Sequence, residues 1–291
     1  MFDLDAYLER IGLRSGATLA EIHRAHVTAI PFENLDPHRG IPVSLDLEDL
    51  QRKMVGERRG GYCFEQNSLL AGALEALGAT VEPMLARVRV GVPAGTVRPR
   101  GHMVLRVEHE GATWHADAGF GLGTPLEPIP FGPGGVHEQA GWRFRVVRDV
   151  DELVLQCAGD PGAGDGGARD GAIEGTIGAQ ADGGAGEWRD IYAFSPKPVP
   201  PIDLTVSNWF TSTHPASAFV TGLIVGTQST DGGRAMLSDW GGLSLIEETP
   251  AERTVTALER EAIPDLLEGR FGLPGFVLDG DGRVASATPR G

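Results

Sequence analysis

The feature that most constrains this chain is a change of hydrophobic period at Gly78. Up to that point apolar residues recur three and four positions apart, and beyond it they alternate. A chain patterned this way folds helices first and a sheet second, which predicts an α+β molecule. Phe2, Leu4, Tyr7, Leu8 and Ile11 mark a first helix that Gly12 can end. Thr18, with Glu21 three residues on, reads as a capping box. The helix it opens runs through Leu19, Ile22, Ala25 and His26 toward Ile30, where Pro31 stops it. A third helix follows Gly60-Gly61, with Leu69, Leu70, Ala73, Leu74 and Leu77 on its apolar face and Gly78 as the residue past its end.

Beyond Gly78, residues 84–90 and 102–107 alternate as strands do. Glu110-Gly111 reads as a tight turn, and residues 113–118 return as a strand. Residues 142–147 and 153–157 add two more strands, so a central antiparallel sheet or barrel is expected. The stretch 158–187 breaks the pattern. Eleven of its positions are glycine and large apolar side chains are nearly absent, a composition that cannot offset the entropy of ordering a packed element. It reads as a surface loop inserted in the β region. Residues 224–227 and 243–246 look like strands, and residues 258–271 like a helix that Pro264 bends or shortens. The expected organisation is a helical region over 1–80, an antiparallel sheet or barrel over 81–195 carrying the 158–187 insertion, and an α/β region over 196–291.

Charge and cysteine content narrow the function. The formal charge of −15 argues against a nucleic-acid partner, which needs a basic footprint. No run approaches the ~18–20 apolar residues of a membrane span. The N-terminal segment MFDLDAYLERIGL lacks the basic and apolar regions of a signal peptide. Two cysteines, Cys63 and Cys157, fit a reducing cytoplasm with free thiols.

Cys63 stands where the third helix begins, in Arg58-Arg59-Gly60-Gly61-Tyr62-Cys63-Phe64-Glu65-Gln66-Asn67. The positive end of the helix dipole and the two nearby arginines favour a thiolate there. A buried structural cysteine is the alternative, and spacing alone leaves both open. If the turn is centred on Glu110-Gly111 with an even loop, Val104 faces Asp117 and His102 faces Gly119. His102 and Asp117 are then diagonal neighbours on one sheet face, within reach of a histidine–carboxylate bond. His115 shares that face and is a rival base, and a solvated polar face is the competing reading. Between Glu82 and Glu108 no acidic residue occurs, while Arg87, Arg89, Arg98 and Arg100 do. This basic stretch leading to Gly101 and His102 suggests an anionic ligand, with a solvated arginine face as the alternative.

RGGYCFEQN at 59–67, GHMVLRV at 101–107 and DAGFG at 117–121 resemble the three motif blocks of the arylamine N-acetyltransferases, and IPFENLD at 30–36 and STHPASAF at 212–219 resemble further segments of that family. The resemblance spans most of the chain, in order. It implies a helical bundle, a β-barrel and an α/β lid around a cysteine-protease-like Cys-His-Asp triad, which carries over onto Cys63, His102 and Asp117. Pocket-lining positions carry over onto Phe32, Val88, Phe120 and Phe210. The cosubstrate implied is acetyl-CoA, for which Arg98, Arg100 and Gly101 are the expected contacts, and no metal is required. The acceptors implied are aromatic amines or hydrazines, and the protein is expected as a monomer or homodimer. The 158–187 stretch is longer than the family's usual connection, and Ala118 stands where the family often has valine. Rival activities are an amide synthase using a carrier-bound polyketide acyl chain, a thiol hydrolase or transglutaminase-like enzyme, and a binding protein that kept the fold.

Overall fold

The computed structural model describes residues 2–92, 96–159 and 188–287. The surface-loop expectation for 158–187 therefore falls mainly on residues outside the described set.

The N-terminal segment folds as its periodicity predicts. Helices α1 (Leu4–Arg10) and α2 (Leu19–Ala29) are both capped by side chains: Asp3 accepts from Ala6, and Thr18 and Glu21 form the reciprocal capping box. Between α2 and the next helices lies a two-residue strand, β1 (Phe32–Glu33). Two short helices follow, α3 (Leu35–His38) and α4 (Leu47–Leu50), the latter continued by a π-helical turn over Gln51–Gly56. Helix α5 (Cys63–Ala76) is the buried axis of this region, with Phe64, Leu69, Leu70 and Ala73 fully enclosed. A helix apolar on most sides is stable only when surrounded, and α1, α2 and α4 all pack against it.

The eight-stranded antiparallel sheet comprises β2 (Thr80–Val88), β3 (His102–His109), β4 (Ala112–Ala116), β5 (Ile129–Pro130), β6 (His137–Gln139), β7 (Trp142–Asp149), β8 (Glu152–Ala158) and β9 (Arg189–Phe194). Its order is β5-β4-β3-β2-β9-β8-β7-β6. The sheet curls into a nearly closed barrel around Met84, Val104, Phe144, Leu155, Tyr192 and Phe194. Its two edges are joined through the Gln139 carboxamide, which both donates to and accepts from the backbone of Glu127. The β3–β4 turn is the tight one expected, with positive φ at both Glu110 and Gly111. The ladder pairs His109 with Ala112 and Leu105 with Ala116, the register that an even loop dictates. It ends there, so Asp117 leads the chain out of the sheet.

The C-terminal part begins with α6 (Pro201–Thr213) and α7 (Ala218–Thr221). Strands β10 (Ile224–Gln228), β11 (Arg234–Ser238), β12 (Ser244–Glu248) and β13 (Arg253–Ala257) then form a second antiparallel sheet. The order β1-β10-β11-β12-β13 shows that β1 completes it from the far end of the chain. Residues 1–80 are thus not purely helical, because Phe32-Glu33 is too short to show a period. Helix α8 (Ile263–Gly269) starts later than Leu258, since Pro264 fits only the first turn of a helix. A hairpin of β14 (Phe276–Leu278) and β15 (Val284–Ser286) closes the described chain.

Candidate active site

Cys63 is the first residue of α5, and what precedes it is built by close contact. A Cβ on Gly60 would sit 2.0 Å from the Pro31 carbonyl oxygen. The glycine at that position is therefore required by close backbone approach. Glu65 accepts from the Tyr62 N–H at 3.1 Å and so holds the chain entering α5. Its other oxygen accepts from Lys53 at 2.7 Å, in a buried network where Lys53 also meets Asp36 and Arg59 meets Glu33 and Asp36. Burial pushes the Glu65 carboxyl up to about 7 against the opposing pull of Lys53.

His102 opens β3 and Asp117 follows β4. The His102 Nε2 lies 2.8 Å from Asp117 Oδ2, and the Cys63 side chain is near enough to act on the imidazole. Cys63 Sγ also lies 3.7 Å from the Gly101 carbonyl oxygen. All three side chains are buried. Burial disfavours the imidazolium, but the Asp117 carboxylate, its hydrogen bond and the thiol outweigh it and push His102 up to about 10. Asp117 is held well below the usual carboxylate range: burial opposes this, while the charge and hydrogen bond of His102, then Asn67 and the Gly119 N–H, prevail.

The loop after Asp117 lies directly on Cys63. A Cβ on Gly119 would come within 2.6 Å of Cys63 Cα, so only glycine allows this approach. Asn67, one helical turn past Cys63, donates to Asp117 Oδ1 at 2.9 Å and to the Met103 carbonyl at 2.7 Å. Its own oxygen accepts from the Ala118 N–H. One carboxamide thus ties helix, strand and loop together.

His115 does not face Cys63. Its Nε2 lies 2.8 Å from the Tyr192 hydroxyl and its ring stacks on Phe194, and burial pushes it down to about 4. Tyr192 in turn packs on His102, and the nearby Asp117 carboxylate adds to burial in pushing its hydroxyl up. Among the pocket positions, Phe120 meets His102 edge-on at 5.0 Å, and Phe32 borders a small cleft with Ala118, Gly121 and Gln228. Val88 is half-buried at the end of β2, opposite Tyr192. Phe210 is 38% exposed and stacked on His214.

The basic stretch fares differently from its sequence. Arg89 pairs with Asp149, Glu152 and Asp190, and Arg87 lies 3.9 Å from Glu152. Acidic residues from strands far along the chain neutralise what reads locally as positive. Arg98 and Arg100 are exposed, their carbonyls accepting from Arg87 and Ser207. Gly101, next after Arg100, turns its carbonyl oxygen to Cys63. No group of three His, Cys, Asp or Glu side chains among the described residues is arranged to hold a metal ion.

The N-acetyltransferase family model matches residues 17–275. The arylamine N-acetyltransferase of Mycolicibacterium smegmatis is 37% identical over 285 residues, covering 93% of this chain and 92% of its own. The chain belongs to the arylamine N-acetyltransferase family. Solved members share its fold. The Nocardia farcinica enzyme superposes with a TM-score of 0.79 at 37% identity, over 97% of this chain and 92% of that one. The Mycobacterium marinum arylamine N-acetyltransferase in complex with CoA gives 0.78 at 35%, over 93% of both chains. Family membership makes the chain an acyltransferase. Sequence reading missed three of the side chains on which the site rests, Asn67, Tyr192 and His23. Asn67 was recoverable as a polar residue four positions past Cys63 on an apolar helix, and His23 as a polar residue on the buried face of α2. Nothing local marks Tyr192.

Proposed function

We propose that this acyltransferase moves an acetyl group from acetyl-CoA through a Cys63 thioester to arylamines or arylhydrazines, in two half-reactions. His102, raised to about 10, holds the proton of the pair, and the Cys63 sulfur attacks the thioester carbonyl as the thiolate. The carbon–sulfur bond to CoA breaks, and His102 gives that proton to the departing CoA thiolate. The amine nitrogen then attacks the Cys63 thioester and gives its proton to the now neutral His102, and the cysteine sulfur leaves as the thiolate, which restores the pair. Asp117 keeps the imidazole in the tautomer and orientation both steps need. Backbone N–H groups in the first turn of α5, which have no partner within the helix, stabilise the oxyanion.

The observation that carries this reading is the Asp117–His102 bond, with Cys63 beside the imidazole at the start of a buried helix. Exchange between two thioesters is nearly neutral in energy, which suits a cysteine as carrier. Phe32, Val88, Phe120 and Phe210 would favour flat apolar acceptors. Arg98 and Arg100, the exposed cations beside Gly101, would meet the CoA phosphates; neutralising both should raise the KM for acetyl-CoA and weaken its salt dependence. The test is CoA release with and without an aromatic amine. A burst equal to the enzyme concentration, then amine-dependent turnover with parallel double-reciprocal lines, is expected. Sustained CoA release without amine would instead indicate a hydrolase.

A further inference from the structure

The mechanism leaves one buried titratable side chain at the site unused. His23, on α2, is fully enclosed. Its Nε2 lies 3.1 Å from the Asp117 backbone nitrogen and its Nδ1 3.0 Å from the Leu126 carbonyl oxygen. A backbone N–H can only donate and a carbonyl can only accept. Nε2 therefore carries the lone pair and Nδ1 the proton, so the ring is neutral with its tautomer fixed.

Each of three successive N–H groups in the loop after β4 has a side-chain acceptor. Asp117 uses His23, Ala118 uses Asn67 Oδ1 at 2.9 Å, and Gly119 uses the Asp117 carboxylate at 2.9 Å. The carboxamide does not titrate. The carboxylate is held ionised by His102, Asn67 and Gly119. His23 alone of the three acceptors can be turned into a donor by mild acid.

We infer that His23 is the positioning residue for Asp117, and that protonation of His23 adds its own acid limb to acetyl transfer, beside the ionisation that any cysteine nucleophile requires. The inference rests on the proposed role of Asp117 in orienting His102. A proton on Nε2 would point at the Asp117 N–H, and two donors at that distance must separate. The loop that moves carries the carboxylate bonded to His102 and the glycine seated on Cys63. The titratable groups facing His23 are Asp117 and His115 from the β4 side and His26 from its own helix. Burial pushes down His26 and His115, to about 3 and about 4, so both stay neutral through the relevant range. For His23 itself, burial also disfavours the charge and outweighs the help of the Leu126 carbonyl and Asp117. The acid limb therefore lies below the ordinary imidazole value of about 6.5.

The test compares His23→Leu and His23→Gln with the wild type between about pH 4 and pH 8, a range spanning the ordinary imidazole value. Two rates are read: alkylation of Cys63 by iodoacetamide, followed on its peptide, and single-turnover CoA release from acetyl-CoA. His23→Leu should slow both by about tenfold or more, the scale of losing one buried hydrogen bond. It should also remove the limb that His23 adds, leaving a shallower fall of rate with acid that reflects the thiol alone. His23→Gln keeps an acceptor that cannot titrate, so it should recover most of the rate and stay active at lower pH than the wild type. Wild-type rates and an unchanged limb in His23→Leu would overturn the inference, as would an unchanged limb in His23→Gln, which decides alone if the leucine variant does not fold. A wild-type protein that alkylates readily but never releases CoA would count against the proposed function and leave the alkylation comparison intact.

Discussion

Asp117 is bound at more points than any other residue of the site: its carboxylate meets His102, Asn67 and the Gly119 N–H, and its own N–H meets His23. Removing its charge leaves His102 buried without a counter-ion. Asp117→Asn should therefore cost about 3–5 kcal/mol near pH 7, read by urea unfolding. The pH dependence has a definite sign. His102 is raised in the folded state, so its contribution is complete below its unfolded value and fades as pH rises through about 10. The deficit of Asp117→Asn should shrink over that same window; a deficit that grew with pH would refute the pairing. Gly119→Ala tests the close approach. Its Cβ would have to displace the Cys63 backbone, since 2.6 Å is too short for any carbon–carbon contact. A loss of about 1–3 kcal/mol is expected from overpacking, with a larger fractional loss of acetyl transfer than of stability. Unchanged kinetics would show that the loop can retreat.

At the scale of elements, α5 places Cys63, the proposed nucleophile, and the network beneath it holds its first turn. Lys53 is the cation shared by Glu65 and Asp36, with Glu33 3.8 Å away. Lys53→Met leaves buried carboxylates short of a partner, and should lower stability by about 3–5 kcal/mol while pushing Glu65 above its present value near 7. The loss should ease as pH falls from that raised value to about 7, where Glu65 takes up a proton in the variant but not yet in the wild type; a stability gap independent of pH there would argue that the network is not held this way. The elements that sequence revealed are those whose signal is local. The capping box at Thr18, the apolar face of α5 and the Glu110-Gly111 turn each lie within a few residues; the turn sets the register as far as Leu105 on Ala116, but Asp117 then leaves the sheet and meets His102 from the loop, not as the expected diagonal neighbour. What sequence did not reveal depends on distant partners. Arg89 looks unpaired until β7, β8 and β9 bring acidic residues to it, and β1 is visible only when β10 lies beside it.

Across the whole molecule, Phe32-Glu33 and Asn34 bind the N-terminal helices to the C-terminal sheet. The Asn34 carboxamide donates to the Phe219 and Gly222 carbonyls and accepts from the Ile224 N–H, all about 185–190 residues away. Asn34→Ala should cost about 1–3 kcal/mol and speed hydrogen exchange selectively in β10 and α7. Uniform exchange would mean that the two parts unfold only together. Trp142, donating to the Gly232 carbonyl at 2.7 Å, makes the corresponding link from barrel to C-terminal sheet. The site lies where these parts meet, with its thiol from a helix, its imidazole from a strand and its carboxylate from a loop. The most direct test of that arrangement is the mass of the protein after mixing with acetyl-CoA in the absence of amine. A single acetyl adduct on the Cys63 peptide, absent in Cys63→Ala and discharged by an aromatic amine, is the expected result. An adduct on Cys157, or CoA release with no adduct at all, would contradict it.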